Sequence, residues 1–128
     1  MVEFIWNQSG INYTFRSEAG PVGRHMHKLG RRITAAAKMQ VGKDTGLLAS
    51  SIHYNVYMSR GIATLEVIAS APHAYDHHEG TRPHLITPNT MKVLKYKRGG
   101  TTAFAKAVMH PGTKPNRFLS DNLRLVRT

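Results

Sequence analysis

The feature that most constrains the fold is an amphipathic pattern over residues 21–41. Apolar residues recur there at intervals of three, four and three, which places them on one side of a helix: Met26, Leu29, Ile33 and Ala36. The opposite side carries basic residues, which are Arg24, Lys28, Arg31 and Lys38. Ser17 is a candidate N-cap, Pro21 suits the first turn, and Gly42 suits the position after the last turn. The pattern predicts one long helix with a basic outer face.

Two runs of alternating apolar and polar residues follow, at residues 53–60 and 63–70, and each predicts a strand. The residues that share one face are Tyr54, Val56 and Met58 in the first run, and Leu65, Val67 and Ala69 in the second. Arg60-Gly61 between the runs predicts a tight turn. We therefore expect an antiparallel hairpin.

A second hairpin is predicted from residues 91–97 and 102–109, with Arg98-Gly99-Gly100 as its turn. One helical turn over residues 74–79, ended by Gly80, precedes it, and a Pro-containing loop connects the two through residue 88.

Two shorter helices are also predicted. Asp44-Thr45-Gly46 starts the first, with Asp44 as an acceptor for the following backbone amides. The last helix opens at Pro115 or Asn116 and has four apolar anchors: Phe118, Leu119, Leu123 and Val126.

The order of helix, hairpin, loop, hairpin and helix indicates an α+β fold. We expect the long amphipathic helix and the C-terminal helix to pack on a four-stranded antiparallel sheet made of the two hairpins. A chain of 128 residues is of single-domain size. Residues 1–16, which alternate only weakly, are expected to form an N-terminal arm or an edge strand, and residues 17–128 the α+β core.

The net charge of +11 is unevenly distributed along the chain. Residues 81–128 hold ten Lys and Arg against one acidic residue, Asp121 (+9), whereas residues 1–80 hold eight against six (+2). A basic field of this kind attracts nucleic acid or an acidic protein surface. The alternative is a solvated basic face that keeps the protein in solution.

The absence of cysteine and of long apolar runs excludes several classes of protein. The sequence has no cysteine, so it has neither disulfides nor thiolate metal sites, which fits a reducing compartment. No apolar run approaches the roughly 20 residues of a membrane span, and no apolar signal core is visible. We expect a soluble protein that is made inside a cell and has no membrane partner.

A histidine-rich run raises a metal-site hypothesis. His73 and His77 are four residues apart and would share a helix face, with a carboxylate from Asp76 or Glu79. A proline before the run and a glycine after it leave only one or two helical turns, so we expect surface histidines and no metal or other cofactor. Two further histidines could join only if the fold brings them near: His84 and His110.

A hydrolase would need His77 or His78, oriented by Glu79, to activate Ser50 or Ser51. The two serines do not lie in the strand-turn-helix elbow that exposes a nucleophile. We expect helix-capping or surface serines, no catalytic residues and no small-molecule substrate.

Basic residues that could contact phosphates lie in two places: Arg24, Lys28 and Arg31 on the long helix, and Lys92, Lys95, Lys97 and Arg98 on the second hairpin. The chain has no helix-turn-helix, zinc-finger or aromatic RNA-binding motif. Any contact with DNA would therefore be independent of sequence and weakened by salt. The alternative is that charge at the hairpin prevents its edges from aggregating.

Two similar turns, Gly80-Thr81 and Gly112-Thr113, lack the glycine density and the lysine of a phosphate-binding loop. We expect tight loops that project from the sheet. The second belongs to a proline-stiffened basic loop, residues 110–117. A rigid loop loses little entropy on binding, so this one suits contact with a neighbouring subunit.

Three motifs follow one another along the chain: Asp44-Thr45-Gly46-Leu47-Leu48-x-x-Ser51-Ile52, Tyr75-x-x-x-Glu79-Gly80-Thr81, and His110-Pro111-Gly112-Thr113-x-x-x-Arg117-Phe118-Leu119. Their order, together with the amphipathic helix and the two hairpins, resembles the tail-completion, or neck, proteins of long-tailed bacteriophages. The resemblance covers residues 20–125, roughly.

The resemblance implies a structural virion protein without catalytic activity. Such subunits form a homo-oligomeric ring, with six copies as one candidate number, around the DNA channel where head and tail join. They would assemble in the host cytoplasm, contact neighbouring neck and tail proteins, and touch the DNA non-specifically. The implied subunit-interface residues are Glu79, Gly80, Thr81, His110, Pro111, Gly112, Thr113, Lys114, Arg117 and Phe118.

Two alternatives stay open. A tail terminator protein has a similar fold, and a free basic DNA-binding accessory protein would use the basic second half of the chain.

Overall fold

The computed structural model describes residues 2–42 and 46–127, which form an α+β fold, as predicted. The helices are α1 (Gln8–Arg16), α2 (Pro21–Gln40), α3 (Leu47–Ser51), α4 (Ala74–Glu79) and a final 3-10 helix (Asp121–Arg127). The strands are β1 (Ile52–Ser59), β2 (Ile62–Ala69), β3 (His84–Ile86), β4 (Leu94–Arg98), β5 (Thr101–Ala105) and β6 (Val108–His110).

The described residues group into two compact units. The first unit contains those within 1–74 and 117–128, and the second contains residues 75–116. The expectation of a single domain stays a prediction. None of the described helices is long and apolar enough to cross a membrane.

Helix α2 is the long amphipathic helix that the sequence predicts, and its apolar side lies in the core of the first unit. Its buried apolar side chains are Leu29, Ile33 and Ala37. The helix packs against α1, both strands of the β1–β2 hairpin and the final 3-10 helix. Gly30 permits the close approach to β1, because a Cβ atom there would overlap with the ring of Tyr54. The other elements of this unit are therefore arranged around α2.

The ends of α2 differ in part from the prediction. The predicted N-cap at Ser17 is wrong: Gly20 caps α2 without a side-chain hydrogen bond, and Ser17 instead ends α1. Pro21 does occupy the first turn. At the other end Gly42 has a φ of 72°, the left-handed conformation that commonly follows the last helical turn.

The prediction of an arm or edge strand over residues 1–16 is wrong for α1, which is helical. The Asn7 Oδ1 atom accepts a hydrogen bond from the Gly10 backbone N–H at 2.9 Å and caps the helix. This cap outweighs the weak alternation, and α1 lies against α2 and β2. Residues 2–7 belong to no helix or strand.

The first hairpin forms as predicted. Strands β1 and β2 pair antiparallel, with Ser59 opposite Ile62 at the turn. Arg60 and Gly61 between them have φ values of 51° and 77°. Two successive positive φ values define the tight turn whose twist matches the strands of a hairpin.

The main core cluster of the first unit is built around Phe118. Its buried members are Ala37, Leu48, Ile52, Ala71, Ala74 and Phe118. Phe118 is 0% exposed, and Ile33 and Ile52 are the other two largest fully buried side chains. Helix α3, which brings Leu48 into this cluster, follows Gly46; the predicted capping residues Asp44 and Thr45 lie outside the described residues.

The predicted helix from Pro115 or Asn116 is wrong, since the final helix is a 3-10 helix that begins at Asp121. The buried Asn122 side chain explains the delay. Its amide nitrogen donates to the Phe118 carbonyl oxygen at 2.6 Å and to Gln40 Oε1 at 2.8 Å. In an α-helix that carbonyl would accept the Asn122 backbone N–H instead.

The expected four-stranded sheet is corrected to three separate pairs: β1–β2, β3–β6 and β4–β5. The predicted strand over residues 102–109 divides at Lys106-Ala107 into β5 and β6. Strand β5 pairs with β4, whereas β6 pairs with β3, a strand in the segment predicted as a loop. A strand of three residues, with Pro83 and Pro88 close on either side, is too short for alternation to reveal it.

Candidate subunit-interface site

The two Gly-Thr turns, 32 residues apart in sequence, lie face to face in the second unit. The backbone N–H of Thr81 donates to the Thr113 carbonyl oxygen, and that of Thr113 donates to the Thr81 carbonyl oxygen, each at 3.1 Å. The two hydroxyl oxygens are also 3.1 Å apart, and each accepts from the opposite backbone N–H. We call residues 79–81 and 110–113 together the paired turns.

Glycine is required on both sides of this contact. Gly80 and Gly112 have φ values of 75° and 84°, a conformation that other residues rarely adopt. A Cβ atom at Gly80 would lie 2.6 Å from the Thr113 carbonyl oxygen, and one at Gly112 would overlap with the Thr81 carbonyl oxygen. Steric exclusion and backbone conformation therefore both fix glycine at these two positions.

The loop that follows the second turn is anchored again at its far end. The Asn116 backbone N–H donates to the His77 carbonyl oxygen at 3.1 Å, and the Asn116 amide nitrogen lies 3.3 Å from His77 Nε2. Residues 111–116 are thus held between the paired turns and α4. Pro111 and Pro115 inside it further restrict the backbone, since each proline fixes its own φ.

Strands β3 and β6 adjoin the paired turns, and a histidine ring from one strand stacks on a histidine ring from the other. His84 lies opposite His110, with ring centroids 5.1 Å apart and an interplanar angle of 28°. His110 Nδ1 accepts from the Gly112 backbone N–H at 3.0 Å, so a neutral His110 carries its proton on Nε2. His84 Nδ1 donates to the Arg82 carbonyl oxygen at 2.9 Å. These contacts orient both rings beside the turn.

Acidic charge at the paired turns comes from Glu79 alone, which is exposed at the end of α4. Its Oε1 atom lies 2.6 Å from His78 Nδ1. Lys114 and Arg117, on the segment after the turns, are both exposed. The segment from Gly80 to Ser120 contains no acidic residue at all.

Most of the predicted interface residues belong to this one feature, but Phe118 does not. Glu79, Gly80, Thr81 and the residues 110–113 form the paired turns. Phe118 is buried in the core of the first unit, so its side chain is not at the surface. Its expected role changes from contact with a partner to anchoring the chain after the loop.

All seven residues predicted to contact phosphates are exposed. Arg24, Lys28 and Arg31 follow one another at i, i+4 and i+7 on α2 and form one basic ridge in the first unit. In the second unit, Lys95 and Lys97 lie opposite Phe104 and Thr102 on the outer face of the β4–β5 hairpin. Phe104 is 64% exposed, so an aromatic ring lies among these lysines.

The candidate metal ligands and serine nucleophiles can be located within the described residues. No group of three or more His, Asp or Glu within residues 2–42 and 46–127 could hold a metal ion. The Ser50 hydroxyl donates to the Leu47 carbonyl oxygen at 2.9 Å, and that of Ser51 to the Leu48 carbonyl oxygen at 2.8 Å. Both serines therefore make local helical hydrogen bonds.

Asn116 is the residue of the site that sequence reasoning placed wrongly, as a helix start. The apolar residues from Phe118 onward favoured that interpretation, and the contact of Asn116 with His77 depends on the tertiary structure. The two similar Gly-Thr turns were visible in the sequence, but their direct pairing was not.

Comparison with known proteins yields no match. The chain matches no protein-family model, no curated protein and no solved structure.

Proposed function

We propose that this protein is a structural component of a tailed-phage virion, a head-to-tail connector or tail-completion protein. Copies of the chain assemble into a ring around the DNA channel at the neck, with six as one candidate number. The ring contacts neighbouring neck and tail proteins, and the protein carries out no catalysis. Assembly takes place in the host cytoplasm.

The observation that carries the proposal is the pairing of the two Gly-Thr turns. Two of the three motifs that resemble the neck family are far apart in sequence, yet Thr81 and Thr113 join them into one surface feature. Because the loop is stiff before it binds, little conformational entropy is lost on assembly.

The distribution of charge near the paired turns favours contact between two different surfaces of neighbouring copies. Glu79 is exposed at the start of the first of the paired turns, while Lys114 and Arg117 are exposed in the segment that follows the second turn. A ring requires each subunit to present two different faces, one to each neighbour. An acidic edge on one copy and a basic loop on the next meet this requirement.

A complementation experiment tests the proposal. In a phage that depends on this protein, the double variant Glu79→Ala/Arg117→Ala is expected to leave unjoined heads and tails, counted by electron microscopy. The exposed Arg60→Ala at the β1–β2 turn is the matched control and is expected to join normally. Normal joining by the double variant would contradict the role of these residues at an interface.

A tail terminator is the alternative within the same class, because it also forms a ring. The position of the protein in an image of the intact neck separates the two roles.

A free DNA-binding accessory protein is a second candidate function. The exposed Lys95, Lys97 and Phe104 on one hairpin face favour it, since lysines contact phosphates and an aromatic ring stacks on bases. This candidate requires that the isolated subunit binds DNA tightly in a salt-dependent manner. Weak binding by the isolated subunit, with strong binding only by the assembled ring, supports the neck role instead.

A further inference from the structure

The segment before α1 exposes an unusual amount of apolar surface. Val2, Phe4, Ile5 and Trp6 are 80–87% exposed, and residues 2–7, which we call the arm, belong to no helix or strand. In an extended backbone Val2, Phe4 and Trp6 project to one side. Single exposed apolar residues are ordinary on a protein, but four within five consecutive positions mark an interaction surface.

An apolar groove of about 520 Å³ lies elsewhere in the same unit. Its walls come from α2, β2 and the segment through the final 3-10 helix. Apolar side chains dominate the lining, among them Met26, Leu29, Leu65, Leu123 and Val126. Leu123 and Val126 are 57% and 49% exposed, so the groove is open to solvent.

We propose that the arm of one copy of this chain occupies the apolar groove of another copy. This inference rests on the proposed self-assembly and names one of its contacts. Arm and groove are different surfaces of the same chain, so each subunit can donate its arm to one neighbour and accept the arm of another. This is the arrangement that a closed ring uses.

Charge is complementary between the two surfaces. The arm carries one acidic residue, Glu3, and no basic residue. The lining of the groove contains no acidic residue and includes His25. Asp121, Arg124 and Arg127 are spaced by three along the final 3-10 helix and are all exposed, each next in sequence to a lining residue of the groove. This border carries two positive charges against one negative charge, so an arm with a carboxylate meets a groove with a net basic border.

The size of the contact indicates how it acts. Phe4 and Trp6 together would bury about 300–500 Å² of their own surface. A stable interface buries about 800 Å² on each partner. One arm in one groove is thus too small to hold a lasting dimer, whereas every subunit of a closed ring makes the contact twice. We expect occupancy of the groove to rise with assembly.

Cysteine cross-linking tests the contact in the full-length chain, which has no cysteine of its own. A variant with Ile5→Cys is mixed with a mass-labelled variant carrying Ser120→Cys at the groove. A disulfide between the two variants joins two molecules by definition. We expect it in high yield, whereas a mixture of Ile5→Cys with Ser59→Cys, exposed at the end of β1, should give little. Equal yields in the two mixtures would overturn the proposal.

Trp6 is the only tryptophan and gives a second readout. Its emission is expected to shift to the blue as protein concentration rises and the ring forms. Leu123→Glu in the groove wall should abolish the shift, and Ile62→Glu, which is 67% exposed and outside the groove, should retain it. A buried tryptophan at the lowest concentration would mean that the arm fills its own groove, and the proposal would be wrong.

The same measurements separate this inference from the proposed function. If rings form with a solvent-exposed Trp6 and no specific cross-link, the arm contact is wrong and assembly stands. If the chain stays monomeric at every concentration, both fall.

Discussion

Each of the two units of this protein is stabilised internally by a different kind of interaction. Every buried side chain of the described residues lies in the first unit, including the core around Phe118 and Ile52. In the second unit, residues 75–116, no residue is buried. Backbone pairing between short strands and the hydrogen bonds of the paired turns maintain its conformation instead.

This difference indicates that the first unit contributes most of the folding stability and that the second presents exposed side chains. Apolar burial is the dominant favourable contribution to folding, and here it belongs to the first unit. Isolated two-stranded hairpins are marginal in water, so the second unit keeps its shape through glycine turns and hydrogen bonds. Its side chains are correspondingly available to a partner, and burial there would accompany assembly.

The largest expected effect comes from truncating the same residue type in each unit. Phe118→Ala leaves a cavity in the core and is expected to lower the free energy of unfolding by about 3–5 kcal/mol. Phe104→Ala removes a ring that is 64% exposed and should change it by no more than about 0.5 kcal/mol. Urea unfolding of the two variants measures the contrast. Equal losses would show that the units do not differ as described.

A smaller effect is expected when a methyl group is placed in the paired turns. Gly112→Ala should cost about 1–3 kcal/mol locally, since it combines a φ of 84° with overlap at the Thr81 carbonyl oxygen. Gly100→Ala has a φ of 85° and open space around it, so it isolates the conformational cost. Hydrogen exchange at the Thr81 and Thr113 amides provides the readout. Protection should be lost only in Gly112→Ala, and protection retained in that variant would contradict the proposed geometry.

The smallest expected effect concerns the salt dependence of DNA binding, which identifies the unit that contacts DNA. If the second unit binds phosphates, Lys95→Ala/Lys97→Ala should reduce the slope of log affinity against log salt by about 1.8, at about 0.9 per phosphate contact. The matched pair Arg24→Ala/Lys28→Ala on α2 should leave the slope unchanged. The slope follows from titrating the assembled protein with duplex DNA at several salt concentrations. The reverse result would place the DNA contact on the first unit.

What could be predicted from the sequence follows the same division. The long helix and the first hairpin were predicted because α2 and β1 each bury one face, and burial produces a periodic pattern. The β4–β5 hairpin has no buried residue either, and the turn at Arg98-Gly99-Gly100 predicted it instead. Strand β3 and the split between β5 and β6 were missed because β3 and β6 are only three residues long and have neither a buried face nor a tight turn between them. The four-stranded sheet was wrong for this reason.

Side-chain hydrogen bonds account for the other differences. The Asn7 cap explains why α1 is helical, although an N-terminal arm or an edge strand was predicted over residues 1–16. The Asn122 amide explains why the last helix begins later than predicted. Neither hydrogen bond can be inferred from periodicity. At the candidate site, the sequence identified two glycine turns of unusual similarity. Their pairing through Thr81 and Thr113 joins distant parts of the chain, which turn chemistry alone does not reveal.

The central claim is that this chain acts by assembling with copies of itself, and its mass in solution tests the claim most directly. Sedimentation over a wide concentration range should reveal one discrete species whose mass is three or more times the 14.3 kDa of the single chain. A single 14.3 kDa species at the highest concentration would contradict it.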